Sequence, residues 1–226
     1  MNPIHRLGFA LAAGLAAVLA GCIVPCLQPL FTGKEGIADP TLTGSWIQKK
    51  GKGETIWSIV HNAPTNTYEI TVLDNKGRKA ALNGILGEID GERYICVQSD
   101  PRSSLKNLPE DAAWFNWPIY SVILRVESTS PDLKLTLLDP EACPKYVRAH
   151  PESVAHAWMG DGNGSENDDI LVLSARPAEL REFIRRHAND VFTDKNVLEF
   201  TRPAPASVPS VPSVPSVPAP TPAAAP

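Results

Sequence analysis

Between Gly44 and Leu138 the chain is a series of short β-branched or aromatic runs, each closed by turn residues, and no other feature limits its possible folds so much. Runs and turns at this spacing are typical of antiparallel all-β folds. They predict strands at Ser45 to Lys49, Thr55 to His61, Thr67 to Leu73, Lys79 to Ile89, Glu92 to Gln98, Ile119 to Glu127 and Leu133 to Leu138. Asp74-Asn75-Lys76-Gly77 ends on a glycine suited to a positive φ, and Asp90-Gly91 is a two-residue hairpin signal. Tyr68, Ile70 and Val72 alternate with Glu69, Thr71 and Leu73, as a strand with one buried face requires. In the longest run, Gly84 and Gly87 are placed to permit the bend or bulge that a barrel needs at its corners.

Past Leu138 the apolar period lengthens. Asp139-Pro140 reads as an N-cap followed by proline at the first helical position, with Cys143, Tyr146 and Val147 on one face. Pro177 to Asn189 is a clearer amphipathic helix: Leu180, Phe183, Ile184 and His187 form one stripe, and Arg181, Glu182, Arg185 and Arg186 lie outside it. Ile170 to Ser174 and Val197 to Thr201 read as strands on either side of that helix. The expected architecture is mainly β, an antiparallel barrel or half-barrel over residues 44–202 with one or two capping helices.

Both ends are foreign to this middle. Met1 to Arg6 is short and carries one arginine, and Leu7 to Leu19 is an unbroken run of apolar or small residues. A run of about 13 residues is too short for a hydrocarbon layer that takes about 20, and it suits the core of a removable secretion signal. Residues 1–21 are then lost and residues 22–43 form a tether. From Pro203 to Pro226 the chain carries no charge and repeats Ser-Val-Pro between Ser207 and Pro218. Such a segment cannot bury enough apolar surface to offset its ordering entropy, so a disordered, extended tail is expected, reaching up to about 70 Å at about 3.1 Å per residue. The formal charge of −4 becomes −5 once Arg6 leaves with the signal. A mildly acidic protein with no basic stripe matches a phosphate backbone poorly, so nucleic acid is not an expected partner.

Leu19-Ala20-Gly21-Cys22 resembles the lipobox of bacterial lipoproteins at all four positions. The resemblance implies that the Cys22 thiol is alkylated with diacylglyceryl, that Cys22 becomes the first residue after cleavage, and that its freed amino group takes a further acyl chain such as palmitate. Two or three chains at about 0.8 kcal/mol per buried CH₂ anchor a protein stably. Ile23 is not the aspartate that keeps lipoproteins at the inner membrane of enteric bacteria, which implies an outer-membrane position facing the periplasm in a host that has one. The stretch from Cys22 to Arg202 also looks like a group of uncharacterised envelope lipoproteins. The likeness is carried by Pro29-Leu30-Phe31-Thr32, the Gly44-Ser45-Trp46 element and the late segment Leu173 to Phe183, and it brings no known activity with it. Gly44-Ser45-Trp46 is similar to the Gly-x-Trp element that opens the first strand of lipocalin-like barrels.

With Cys22 set aside, Cys26, Cys96 and Cys143 remain, enough for one bridge and one orphan in an oxidising envelope, in any of three pairings. Cys96 with Cys143 is the candidate disulfide; the alternative is that both are buried free thiols. No C-x-x-C pair is present, so zinc and thioredoxin-like chemistry are not expected. The loop from Asp161 to Asp169 repeats oxygen-bearing side chains, but Glu166 stands where a calcium loop needs glycine and Val172 where it needs glutamate. His150, His156 and His187 have no metal-ligating spacing, and neither a G-x-S-x-G elbow nor a phosphate loop occurs. No metal or cofactor is therefore expected, and an unrecognised hydrolase is only the second alternative. Trp114, Phe115 and Trp117 place three large rings in four positions, more than one strand face can bury, and are the candidate ligand-binding residues. The expected function is non-catalytic binding of an apolar ligand at the cell envelope; the first alternative is a scaffold that docks envelope proteins.

Overall fold

The computed structural model describes residues 23–50, 53–100, 120–160 and 169–203. The meander forms where its turns predict it: β1 (Gly44–Lys50), β2 (Gly53–Asn62), β3 (Thr67–Asp74), β4 (Lys79–Ile89), β5 (Glu92–Ser99), β6 (Ser121–Thr129) and β7 (Leu133–Leu137), each antiparallel to the one before. Asp90 and Gly91 both have positive φ, 52° and 87°, and Ile89 pairs with Glu92, giving the tight hairpin whose twist matches that of its strands. A late strand, β10 (Val197–Phe200), pairs with β7. Just past it, Thr201 exchanges two 2.9 Å backbone hydrogen bonds with Ile47 of β1. The eight-stranded sheet thereby comes round to a nearly closed barrel. β8 (His156–Met159) and β9 (Ile170–Leu173) make a separate two-stranded sheet. β8 was not expected, because four residues between Pro151 and a polar loop are too few to display a period.

Side chains alternate between two cores. Inside the barrel, Trp46, Trp57, Tyr68, Leu86, Ile95 and Phe200 are each at most 2% exposed, and the Trp57 and Phe200 rings meet edge-on at 5.1 Å. On the outer wall, Tyr94, Cys96 and Ile123 belong to a second core with residues of α1 (Ala142–Ala149), α2 (Pro177–Val191) and β9. The helices therefore pack along the wall of the barrel. Within this layer Leu180, Phe183 and Ile184 of α2 and Cys143 and Val147 of α1 are buried, as their spacing predicts. Asp139 is not the N-cap, which is Glu141, but its carboxylate holds the turn that leads into α1, accepting from the amides of Glu141 (2.8 Å) and Ala142 (2.9 Å) and from the Thr193 hydroxyl. The helix itself starts at Ala142, so Pro140 precedes it and does not occupy its first position.

Two expectations are corrected. Gly84 and Gly87 make no bulge, since β4 and β5 stay in register from Leu82 to Ile89; the register shift falls in β6, between Val126 and Ser128. Gly87 serves close approach instead: a Cβ there would lie 2.6 Å from ring carbons of Phe31. Nor are residues 23–43 a free tether. Val24, Cys26, Leu30, Phe31 and Leu42 are all buried, because this stretch supplies apolar side chains that the sheet faces alone cannot cover.

A clamp fixes the start of β1. A short 3-10 turn, Pro40–Leu42, presents the Leu42 carbonyl to Trp46 Nε1 at 2.9 Å. The Arg202 guanidinium lies 3.6 Å from the centroid of the Trp46 ring and donates to the carbonyls of Thr41 and Thr43, both at 2.8 Å. Gly44, at φ +117°, leaves room for that guanidinium. Two charge-assisted hydrogen bonds and a cation–π contact at an exposed position together stabilise by about 2 kcal/mol. Arg202→Ala is accordingly expected to lower the midpoint of thermal unfolding, followed by circular dichroism, by roughly 5 °C, whereas an unchanged midpoint would remove the clamp from the account.

Candidate functional site

A recess lies outside the barrel, between α1 and α2. Tyr146 of α1 and its C-cap residue His150 stand four residues apart, and Glu179, Glu182, Phe183, Arg186 and His187 fall at the i, i+3, i+4 positions of one α2 face. Together with Glu152, Ser153 and Ala178 they line a groove of about 650 Å³. The Tyr146 ring packs against both imidazoles, with centroids 4.7 Å from His150 and 4.8 Å from His187, and Phe183 backs His187 at 5.5 Å. Tyr146 Oη is 2.7 Å from His187 Nδ1. Burial, reinforced by the carboxylates of Asp190 and Glu152, raises the tyrosine pKa, so the phenol keeps its proton at neutral pH.

The charges at the rim are already engaged. Glu179 pairs with Arg176 at 2.6 Å, and Glu182 pairs with Arg185 and, at 2.6 Å, with Arg186. These hydrogen bonds and charges hold both carboxyls below the usual glutamate range. Ser153 Oγ is buried and makes no hydrogen bond, so neither histidine is placed to activate it as a nucleophile. What the groove offers is stacking surface, two imidazoles and a rim whose charges are paired. No group of three His, Cys, Asp or Glu side chains among the described residues could hold a metal ion.

The residues singled out in the sequence fare differently. Cys22, Trp114, Phe115 and Trp117 lie outside the described residues, as do residues 161–168 of the polar loop. Cys96 and Cys143 do not form the expected bridge: with Cys26 they are free thiols buried in the outer core. Burial pushes the Cys96 thiol up to about 11, although the Leu30 amide donates to it at 3.4 Å, and pushes Cys143 up to about 12. Cys26 is raised as well, by burial first and then by its two thiol neighbours. At neutral pH all three stay protonated and unreactive. Of the three histidines, His150 and His187 do converge, on Tyr146, whereas His156 bonds the Val154 carbonyl and meets Trp158 edge-on. The spacing places Tyr146 and His187 on apolar stripes but does not show that Glu179 and Arg186 line the same groove.

Set against family models, curated proteins and solved structures, the chain finds no match.

Proposed function

We propose that this chain is a non-catalytic protein of the cell envelope, anchored through acyl chains on Cys22, that docks a partner on its outside and encloses no apolar ligand. The lipobox resemblance at Leu19 to Cys22 supports the anchor, and Ile23 supports outer-membrane residence facing the periplasm in a host with two membranes. One observation supports a docking platform over a ligand carrier. The barrel interior, where a carrier of apolar ligands keeps its cavity, is occupied by the side chains of Trp46, Trp57, Tyr68, Leu86, Ile95 and Phe200. The Tyr146 groove on the outside is a recess open to a partner, and the lack of an activated nucleophile among its described residues supports binding over hydrolysis.

Titration with an apolar dye discriminates. A filled barrel gives no saturable quenching of tryptophan fluorescence. Saturable quenching that disappears in Trp57→Phe, where the interior ring is changed, would restore the carrier reading.

A further inference from the structure

We infer that the protein rests on the bilayer through one fixed face, formed by Leu27, Tyr120 and Met159, with no flexible spacer between membrane and body. The inference builds on the anchor at Cys22 and adds how the body is held. Ile23, the next residue, already packs against the barrel-interior cluster, and Val24 is buried at 2% exposure. Pro25 to Leu27 then act as an extra strand joining the two sheets. Cys26 exchanges backbone hydrogen bonds with Ser121 at the start of β6 (2.9 and 2.8 Å), the Leu27 amide donates to Leu173 of β9 (2.8 Å), and the Leu173 amide donates to Pro25 (2.9 Å). Even fully extended, the five steps from Cys22 to Leu27 reach at most about 18 Å. A protein so attached cannot hang away from the headgroups; one side of it must meet them.

A side within that reach is dressed for the contact. The Cys26–Ser121 pair sets Leu27 opposite Tyr120, and Tyr120 Oη lies 3.8 Å from Met159 Sδ. Leu27 and Met159 are each 40% exposed. Two apolar side chains beside a tyrosine, with its apolar ring and polar tip, match the headgroup boundary, where such rings concentrate. The other large apolar side chains exposed among the described residues, Ile56, Val60 and Leu73, lie on β2 and β3. β2 is four places from β6 in a ring of eight strands, on the opposite wall of the barrel. The bilayer is therefore the occupant of the Leu27 face, and the far wall points to water.

The test uses full-length, membrane-extracted protein reconstituted into vesicles of phosphatidylethanolamine and phosphatidylglycerol. A polarity-sensitive fluorophore is attached through Met159→Cys, through Leu27→Cys as a second site on the same face, or through Val60→Cys on the opposite wall. The labels at 159 and 27 should shift to the blue and be quenched severalfold more than the label at 60 by lipids carrying a doxyl group. Intact-mass measurement of the same samples reports the acyl chains on Cys22. Acylated protein whose three labels report equal exposure to water overturns the fixed face and leaves the anchor standing. An unmodified Cys22 overturns the anchor, and the fixed face with it.

Discussion

Cys22→Ser is expected to leave an unprocessed chain that retains residues 1–21, gains no acyl mass and partitions with membranes only through its apolar run. The wild type should lose those residues, gain two or three acyl chains and enter the detergent phase. The effect is all-or-none because the diacylglyceryl thioether forms on sulfur, and the lipoprotein peptidase acts on the modified cysteine. The fold adds a second expectation. Packing begins at Ile23 and Val24, so the serine variant should form the same barrel and unfold at the same temperature as the wild type once both are in detergent. Intact-mass and N-terminal analysis decide the matter: a mature wild-type N-terminus at another residue, or an unmodified Cys22, would make the protein a soluble secreted one and leave its β domain untouched.

Trp46→Ala should produce the largest loss of stability among single changes in the barrel. Removing a fully buried tryptophan costs about 3–5 kcal/mol through lost burial and the cavity left behind. Here the ring also supplies the donor to Leu42 and the platform under Arg202, so the change strips the clamp as well as the core. A loss of about 4 kcal/mol is a large share of the 5–15 kcal/mol by which proteins are stable. At this chain length it corresponds to a fall of roughly 10–15 °C in the unfolding midpoint. Trp46→Phe keeps most of the apolar area and should recover more than half of that loss. If Trp46→Ala instead unfolds within about 3 °C of the wild type, the filled, clamped barrel is the wrong description of what stabilises this chain.

Legibility followed which faces meet water. β3 could be read residue by residue, because Tyr68, Ile70 and Val72 face the interior while Glu69 and Thr71 face solvent. In β5 and β6 the runs Tyr94 to Val97 and Ser121 to Leu124 are buried without interruption, and their composition does not say what covers the second face. The cover is the layer formed by the two helices and β9. The stretch after Cys22 was misread for a related reason: Val24, Cys26, Leu30 and Phe31 are too few and too irregularly spaced to declare an element, and their burial depends on long-range partners such as Gly87 and Ser121. In the groove, spacing did reveal the stripes carrying Tyr146 and His187. Only the packing of two helices about 30 residues apart brings those side chains to 2.7 Å, and that distance is a tertiary fact.

The eighth place in the barrel belongs to β10, which follows β7 only after two helices and a second sheet have intervened. A chain made and delivered from its N-terminus therefore has its first seven strands in hand long before the strand that joins β7 to β1 arrives. Until residues 197–201 arrive, two strand edges stand unpaired. The closing contact, Ile47 with Thr201, spans most of the domain, and loops so long are closed late and slowly. Closure of the barrel is thus a late step in folding, and open edges are most prone to pair with other chains in the interval before it.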